Sequence, residues 1–394
     1  MINRELDLYK YLKKNASCFI FGARGTGKSI LVNSYLSTKK NSLSYNLLLT
    51  DLFEKFLKTP QSFRIEIESR LETKKEHLIV FVDEIQKLPN LLNEVHYLME
   101  NNKNRISFIL TGSSARKLKK QGADMLAGRA WMFNLYPFSI REFKADLTLR
   151  LQYGTLPVLF GDKLSYQPED NILTLKTYVS TYLREEIQQE ALTRNLQSFA
   201  KFLDYAGQMN AEPVNFTKIS KIIGVSVPTT QEYFQILVDT LIVNRIDGWS
   251  ESKRKQLQIA PKFYFFDCGV LNQLTGEIHA PLLESSFRFG KLFETLIIQE
   301  LIKLNSYHSY DFQFYYWRTS TGIEVDLILK RGKTIKAIEI KSAFSIAPSD
   351  LKSLNAFSQE YSSAELFVVY RETFSETRDD IKIISYLELN TIFS

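Results

Sequence analysis

Residues 22–29 of this 394-residue chain read GARGTGKS, and this stretch decides how the first third of the chain folds. It follows a short apolar run at residues 17–21 and leads into a helix-like run that ends near residue 36. Glycines allow a backbone to wrap closely around phosphate, and successive N–H groups ahead of a helix attract an anion. The pattern G-x-x-x-x-G-K-S between a strand and a helix therefore predicts a loop that binds nucleotide phosphates.

The residues of this loop have distinct predicted roles. Lys28 is expected to reach the β and γ phosphates, and the Ser29 hydroxyl is expected to be a ligand of Mg²⁺. The predicted ligand and cofactor are therefore ATP and Mg²⁺. The predicted nucleotide-binding residues of the loop are Gly22, Ala23, Arg24, Gly25, Thr26, Gly27, Lys28 and Ser29.

A second apolar run, residues 77–82, ends in Asp83 and Glu84. Near-continuous apolar sequence is typical of a parallel strand that is buried on both faces. Because ligands of such sheets lie at the strand C-termini, both carboxylates are expected beside the phosphates. Asp83 is predicted to hold the Mg²⁺, and Glu84 to polarise the attacking water as general base. The alternative, an acidic pair that merely begins a solvated loop, is weakened by the upstream phosphate loop.

The sequence resembles a prokaryotic ATPase family, the archaeal ATPases, which is grouped with AAA proteins. The resemblance extends over nearly the whole chain, in family order, and implies an AAA-type module, a winged-helix-like middle and a C-terminal domain of the PD-(D/E)XK nuclease type. Residues 153–157 (YGTLP) depart from the family pattern, which more often has paired glycines before the proline. The matching segments are GARGTGKS, VFVDEIQKLPN, ILTGSSARKL, LAGRAWMFNLYPFSIREF, YVSTYLREEI, PKFYFFDCG, GKLFETLIIQEL and YYWRTSTGIEVDLIL.

The predicted fold class is α/β, with a parallel P-loop sheet of the AAA type, a helical and winged-helix middle, and a C-terminal restriction-endonuclease-like α/β domain. The expected domains are an ATPase domain at residues 1–145, a helical linker or lid at 146–195, a winged-helix-like domain at 196–275, and a nuclease-like domain at 276–394.

Three further residues are candidates for catalysis in the first domain. A strand is predicted at residues 106–110, and in an AAA-type sheet the strand beside the Asp-Glu strand carries a polar sensor of the γ-phosphate or the attacking water. Thr111 and Ser113 both follow this strand, and the sequence does not choose between them. Arg129 is a candidate finger cation for the transition state, with an ordinary surface arginine as the alternative.

The sequence pattern in the middle of the chain predicts two helices followed by a strand. Residues 216–223 have helical apolar spacing, Gly224 supplies a turn, and Ser226 caps a second helix that runs to residue 240. The stretch 226–239 contains no Lys or Arg and two acidic residues, so this helix is poorly equipped to neutralise DNA phosphates. A structural or protein-contacting role is favoured, and the basic run Lys253-Arg254-Lys255 keeps DNA open as a partner.

The C-terminal domain contains a predicted β-hairpin. With Gly332-Lys333 as the two-residue tip, Asp326 lies directly opposite Glu339. Val325, Leu327, Ile338 and Ile340 then share one apolar face, and Asp326, Glu339 and Lys341 share the other.

Carboxylates about 5 Å apart repel one another unless a cation lies between them, which is the arrangement of a divalent metal site. Lys341 could orient a metal-bound water, so Asp326, Glu339 and Lys341 are predicted catalytic residues. Asp326 and Glu339 are predicted metal ligands, and the family resemblance adds Glu294. Two alternatives remain: a salt bridge of Lys341 with Glu324, which lies opposite it, and a degenerate domain that does not cut DNA.

Composition narrows the classes of protein to which this chain could belong. Hydrophobic residues make up 44% and charged residues 24%, which is typical of a folded globular protein. The chain lacks an apolar run near the roughly 20 residues of a membrane helix, and its N-terminus does not resemble a secretory signal, so the cytoplasm is the expected location and no membrane partner is expected. Two cysteines without nearby ligands make a zinc site improbable.

Two hypotheses of function remain. The first is an ATPase coupled to a Mg²⁺-dependent DNA nuclease, for which the net charge of +6 is compatible with a nucleic-acid partner. The second is a nucleotide-gated switch or scaffold with a catalytically inactive nuclease-like domain. The oligomeric state stays open.

Overall fold

The computed structural model describes residues 2–12, 15–114, 116, 118, 126, 128–161, 165–183 and 196–394. Parts of the predicted linker at 146–195 and of the basic run at 116–120 therefore lie outside the described residues. The chain divides into two compact units. The first unit comprises Met1–Tyr136 with Asp239–Leu241, and the second comprises Pro137–Val238 with Ile242–Ser394.

The first unit contains a five-stranded sheet in which every neighbouring pair of strands is parallel. The strands are β1 (Ser17–Phe21), β2 (Ser42–Asn46), β3 (Leu78–Asp83), β4 (Ile106–Gly112) and β5 (Ala130–Asn134). The helices are α1 (Leu8–Tyr11), α2 (Lys28–Leu36), α3 (Thr50–Lys58), α4 (Gln61–Thr73) and α5 (Leu91–Asn101), with a 3-10 turn at Ile85–Lys87. The spatial order is β2-β3-β4-β1-β5.

The central strands β1, β3 and β4 are buried along their whole length. This burial explains their near-continuous apolar sequence, because helices cover both faces of such a sheet. The order places β4 between β1 and β3, and in a parallel sheet all three carboxyl ends meet at one edge. The loops that follow these three strands are therefore neighbours, although they are far apart in the sequence.

The second unit contains an eight-stranded mixed sheet in the order β12-β13-β11-β10-β9-β8-β6-β7. Its strands are β6 (Val243–Gly248), β7 (Lys262–Phe265), β8 (Gln313–Arg318), β9 (Glu324–Arg331), β10 (Thr334–Ile340), β11 (Glu365–Tyr370), β12 (Glu376–Arg378) and β13 (Ile381–Ser385).

The helices of the second unit include one long, mostly buried helix, α13. The α-helices are α6 (Leu147–Tyr153), α7 (Pro168–Thr177), α8 (Leu196–Gln208), α9 (Phe216–Ile223), α10 (Val227–Asp239), α11 (Lys253–Gln256), α12 (Cys268–Leu274), α13 (Phe287–His308) and α14 (Lys352–Glu360). A π-helix spans Tyr178–Leu183, and 3-10 turns span Pro157–Leu159, Pro348–Leu351 and Leu389–Phe393. Throughout the described ranges, every helix falls short of the length and apolar character needed to cross a membrane.

Helices α9 and α10 and strand β6 occupy the positions predicted from the sequence. Gly224 ends α9 with a φ of 72°, and the Ser226 hydroxyl accepts a hydrogen bond from the Thr229 backbone N–H at 3.2 Å. The following strand β6 pairs with β7, and it also pairs with β8 through Asp247 and Tyr315. The strands predicted for the winged-helix-like domain therefore belong to the same sheet as the predicted nuclease-like domain, and the expected boundary at residue 275 does not separate two sheets.

The atypical segment 153–157 has a structural role in the second unit. Gly154 has a φ of 75°, and a Cβ added there would lie 2.0 Å from Asp267 Oδ1. Asp267 is buried, accepts a hydrogen bond from the Thr155 backbone N–H at 2.7 Å and caps α12 through Gly269. Glycine at position 154 therefore gives the Asp267 carboxylate the space it needs to tie this segment to the start of α12.

Candidate functional site: the nucleotide loop and a buried carboxylate cluster

The loop between β1 and α2 is shaped by two of its glycines. A Cβ added to Gly22 would lie 2.4 Å from the carbonyl oxygen of Leu135, so the chain passes too closely there for any side chain. Gly27 has a φ of 90°, in the left-handed region that favours glycine. The loop is a tight backbone turn directly ahead of a helix N-terminus, which is the local geometry that an anion requires.

Lys28 places a cation inside this turn. Its side chain is buried, and Nζ donates hydrogen bonds to the carbonyl oxygens of Gly22 at 2.8 Å and Ala23 at 3.3 Å. The Thr26 hydroxyl also donates to the Ala23 carbonyl oxygen, at 2.8 Å. The ammonium group therefore adds its charge to that of the helix N-terminus at the point where phosphates are predicted to bind.

Ser29 and Asp83 lie side by side. The Ser29 hydroxyl donates a hydrogen bond to Asp83 Oδ2 at 2.7 Å, and the buried Thr111 hydroxyl donates to Asp83 Oδ1. Hydroxyl and carboxylate oxygens are the hard donors that Mg²⁺ prefers, together with water and substrate phosphates. The residues present therefore fit the predicted Mg²⁺, with Ser29 and Asp83 as the side chains that would hold it.

Glu84 is held by a residue that the sequence reasoning missed. Glu84 has a φ of 61°, an uncommon conformation for a residue other than glycine, and its carboxylate accepts a hydrogen bond from Gln86 Nε2. The same nitrogen donates to the Ser113 hydroxyl at 3.2 Å. Gln86 is only 6% exposed, so this bridge is enclosed. The sequence signal that could have identified Gln86 was its position two residues after Glu84, where a polar side chain lies between Ile85 and Lys87.

The structure distinguishes the two sensor candidates. Thr111 is fully buried and contacts Asp83, and its hydroxyl also accepts a hydrogen bond from the Glu84 backbone N–H at 3.3 Å. Ser113 is half-buried and shares the hydrogen-bond chain with Gln86 and Glu84. Thr111 thus lies on the metal side of the candidate site, and Ser113 on the side of the predicted general base.

Two arginines differ from the expectation. Within the described part of the chain, Arg129 has Glu100 as its ion-pair partner, at 2.5 Å on an exposed surface, rather than a residue of the nucleotide loop. Arg4, which the sequence did not indicate, donates to the carbonyl oxygens of Thr26 at 2.8 Å and Tyr136 at 2.6 Å. Arg4 is therefore a cation beside the loop, and it holds the loop against the chain after β5.

In the second unit, the predicted hairpin has the predicted register. Ile338 pairs with Leu327 and Thr334 with Arg331, so continuation of the ladder places Glu339 opposite Asp326. Gly332 has a φ of 56°, as the predicted tip requires. The antiparallel register follows from a two-residue turn, which makes it readable from local sequence.

The side chains around Asp326 form a compact ionic group, which we call the carboxylate cluster: Glu294, Glu324, Asp326 and Glu339. Each carboxylate has a partner from the protein. Asp326 Oδ2 accepts from the Ile340 backbone N–H at 2.8 Å. Glu339 accepts from Lys341 Nζ at 2.7 Å and from the Ser353 hydroxyl at 2.8 Å. Glu294 accepts from the Tyr264 hydroxyl at 2.7 Å.

The fourth carboxylate, Glu324, pairs with a lysine that the sequence analysis did not identify. Lys262 is 1% exposed, and its Nζ lies 2.5 Å from Glu324 Oε1 and 4.0 Å from Glu294 Oε1. Glu324 also pairs with Arg318 at 3.5 Å. The salt bridge considered between Glu324 and Lys341 is thus replaced by one between Glu324 and Lys262, while Lys341 pairs with Glu339 at 2.7 Å.

Enclosure changes the protonation behaviour of this cluster. Burial, reinforced by the charge of Asp326, raises the pKa of Glu294 to about 7. Burial also raises the pKa of Asp326, with the Glu339 carboxylate as the next contribution. Burial alone would lower the pKa of Lys262, but Glu294 and Glu324 more than offset it, so the pKa of Lys262 is raised. Lys262 is therefore a charged amine at neutral pH.

The metal ligands Glu294, Asp326 and Glu339 stay a prediction. Among the residues that the structure describes, no three His, Cys, Asp or Glu side chains are grouped as metal ligands. The three carboxylates come close enough to affect one another electrostatically. One oxygen of Glu294, one of Asp326 and both of Glu339 accept hydrogen bonds from Tyr264, the Ile340 N–H, Lys341 and Ser353. As they stand, these carboxylates are partnered by protein groups rather than arranged around a divalent metal.

Two basic residues near the β9–β10 turn have partners within the protein. Lys336 is buried and donates to the carbonyl oxygens of Ile392 at 2.7 Å and Ser394 at 3.0 Å. Arg331 donates to the Tyr310 carbonyl oxygen at 2.8 Å and lies over the Phe312 ring. Lys336 thus binds the last residues of the chain, and Arg331 binds the segment that precedes β8. Both side chains therefore contribute to packing.

Comparison with family models divides the chain in three. Residues 14–144 match the model described as AAA domain. Residues 145–279 and 289–389 match two models described as domains of unknown function, DUF8612 and DUF4143 respectively. The first match contains the whole nucleotide loop together with Asp83, Glu84 and Ser113.

Two relatives that match by sequence are described as uncharacterised proteins. A protein of Mycobacterium tuberculosis is 24% identical over 293 residues, which cover 74% of this chain and 64% of the relative. A protein of Haemophilus influenzae is 25% identical over 334 residues, which cover 77% of this chain and 79% of the relative. The chain therefore aligns with less than two thirds of the mycobacterial protein.

Solved structures show weak overall similarity. A RuvB variant of Thermotoga maritima has a TM-score of 0.31 at 14% identity, covering 66% of this chain and 95% of its own. The clamp loader delta protein of Bacillus subtilis has a TM-score of 0.27 at 14% identity, covering 75% of this chain and 99% of its own. Scores this low carry no argument about function. The family-model match, together with the parallel sheet and the phosphate-loop motif that it contains, identifies residues 14–144 as an AAA domain.

Proposed function

We propose that the first unit binds ATP with Mg²⁺ and hydrolyses it. The contact between Ser29 and Asp83 at 2.7 Å carries this proposal, because it joins the end of the phosphate loop to the strand that supplies the acidic residues. Two residues 54 positions apart would have no reason to meet there in a chain that merely contained a glycine-rich turn. Bound Mg²⁺ would neutralise charge on the phosphates.

The protein's own side chains then have separate tasks. Lys28 binds the phosphates from inside the loop. Glu84 takes a proton from the attacking water, and Gln86 orients the Glu84 carboxylate through its amide N–H. Ser113 is the sensor residue that we assign, since it reaches Glu84 through the same amide. Arg129 acts as a finger only if its pair with Glu100 opens, so we assign it no direct role in this conformation.

The purified protein is expected to release phosphate from ATP when Mg²⁺ is present, and Gln86→Leu is expected to lower kcat. The leucine keeps the size of the side chain but removes the hydrogen bond to the Glu84 carboxylate. A hydrogen bond to a charged group is worth enough to predict a loss of about tenfold or more. The measurement is steady-state phosphate release at several ATP concentrations.

If Gln86 acts by positioning Glu84, further kinetic results are expected. KM for ATP should stay near the wild-type value, and Gln86→Asn should recover part of the loss. Gln61→Leu is a control at the first residue of α4. An unchanged kcat in Gln86→Leu would show that the amide does not orient the general base.

For the second unit, we propose a role as a switch or scaffold that responds to the nucleotide without cutting nucleic acid. The salt-bridged carboxylate cluster favours this alternative over a Mg²⁺-dependent DNA nuclease, because the predicted catalytic residues Asp326, Glu339 and Lys341 already satisfy one another or the backbone. DNA stays a candidate partner through the basic segment at Lys253–Gln256, and the helix α10 suits a protein contact better.

The two alternatives predict different results with DNA. Wild-type protein and Asp326→Ala are expected to show equal, background cleavage of single-stranded, duplex and supercoiled DNA with Mg²⁺ or Mn²⁺, with or without ATP. The measurement is gel analysis of end-labelled and plasmid substrates. Cleavage by the wild type that Asp326→Ala abolishes would instead establish the nuclease and refute the scaffold role.

A further inference from the structure

We propose that the ammonium group of Lys262 is the resident cation of the carboxylate cluster, in place of a divalent metal ion. This inference deepens the scaffold role proposed for the second unit and rests on it for its biological meaning. It differs from a loss of catalytic residues, since the acidic side chains and Lys341 are all present. The cluster is closed to metal by a lysine of β7, which is separated from β9 in the sheet by β8 and β6.

The position of Lys262 supports this assignment. It is the first residue of β7, at the edge of the sheet, and its side chain reaches Glu324 at the start of β9. Along this path Nζ lies 4.9 Å from the centre of the Tyr316 ring, on the intervening strand β8. An aromatic face stabilises a cation without supplying a negative charge, so the lysine is held in place by its surroundings on two sides.

The charges also favour a cation at this point. Glu324 and Glu294 both face Lys262, with carboxylate oxygens 2.5 Å and 4.0 Å from its Nζ. Buried carboxylates repel one another, and an ammonium group between them offsets that repulsion as a metal would. Lys341 pairs with Glu339 at 2.7 Å, and Lys291 pairs with Glu212 at 2.6 Å and lies 3.8 Å from Glu294 Oε2. Within the described residues, Lys262 is the lysine that pairs with Glu324.

A second cation in the same place would be repelled. A divalent ion close to Nζ would experience a like charge in a poorly solvated site, where such repulsion is weakly screened. Removing the charge of Lys262 should therefore create a metal site that the wild type does not have.

The test measures Mn²⁺ binding by electron paramagnetic resonance, in which free Mn²⁺ gives the signal, on the full chain without nucleotide. Lys262→Gln is expected to bind one more Mn²⁺ per chain than the wild type, about tenfold or more tightly than any Mn²⁺ bound by the wild type at this cluster. Lys262→Gln combined with Asp326→Asn should lose that ion. Binding at Ser29 and Asp83 is common to all variants and cancels in the comparison.

Lys303→Gln is the matched control. Lys303 is equally buried in the same unit and pairs with Glu300 at 2.7 Å, but only this one carboxylate faces it among the described ion pairs. It should lose stability as Lys262→Gln does, without gaining Mn²⁺. Lys262→Arg keeps the charge and should also gain none.

Two results would each overturn the assignment. The first is that Lys262→Gln binds no more Mn²⁺ than the wild type. The second is that Asp326→Asn, made in the wild-type background, binds less Mn²⁺ than the wild type. The second comparison decides the matter even if Lys262→Gln does not fold. DNA cleavage by the wild type, with Mn²⁺ binding unaffected by Asp326→Asn, would refute the scaffold role and leave the Lys262 assignment intact.

Discussion

Replacing Lys28 with Ala is expected to reduce kcat/KM for ATP by about 10²- to 10³-fold or more, since it removes the cation that the loop holds for the phosphates. Nζ is buried in the loop and donates hydrogen bonds to the carbonyl oxygens of Gly22 and Ala23. The measurement pairs phosphate release with equilibrium binding of a fluorescent ATP analogue, and both should fail.

Lys40→Ala provides a control for this substitution. Lys40 is exposed and lies shortly after the end of α2, so its loss removes the same charge from the unit without changing the loop. Circular dichroism and the thermal midpoint should show that Lys28→Ala keeps its fold. Turnover by Lys28→Ala close to that of the wild type would remove the basis for placing a triphosphate in this loop.

Glu84→Gln should separate binding from hydrolysis. The amide keeps the shape of the side chain but cannot accept a proton, and loss of a general base lowers kcat by about 10²- to 10⁴-fold. ATP binding should persist, because Lys28, Ser29 and Asp83 are unchanged. The measurement is single-turnover hydrolysis beside the binding assay, and the expected product is a protein that holds ATP for a long time.

Glu72→Gln is the matched control for Glu84→Gln, since Glu72 is an exposed carboxylate on α4 of the same unit. It should hydrolyse ATP at the wild-type rate. Substantial hydrolysis by Glu84→Gln would assign the general base to another residue, and a loss of ATP binding in this variant would give Glu84 a binding role instead. The contrast with Lys28→Ala distinguishes a failure to bind from a failure to react.

The features that could be predicted from the sequence depend on local geometry. The nucleotide loop lies between a strand and a helix that adjoin it, and the β9–β10 register follows from a two-residue turn at Gly332. Helix α9, the glycine at its C-terminal end and the serine cap of α10 could be predicted for the same reason. Each of these involves residues close together in the chain, where turn chemistry and periodicity determine the outcome.

The residues that were missed are brought to their sites over long distances. Lys262 reaches Glu324 across 62 positions, and Arg4 reaches the Tyr136 carbonyl across 132. A lysine within the apolar run PKFYFF signals a buried charge, but nothing in the run names its partner. Gln86 is close to Glu84 in sequence, yet its bridge to Ser113 depends on the neighbouring position of β3 and β4.

The amino-acid sequence by itself determined the nucleotide loop, the acidic end of β3 and the pairing of Asp326 with Glu339, because short-range backbone preferences and alternation of side chains set them. Only the tertiary structure decided what surrounds these groups. The order of strands placed β4 between β1 and β3, and it brought β7 close enough for Lys262 to enter the carboxylate cluster. Strand order follows from the burial of whole apolar faces, which no single segment encodes.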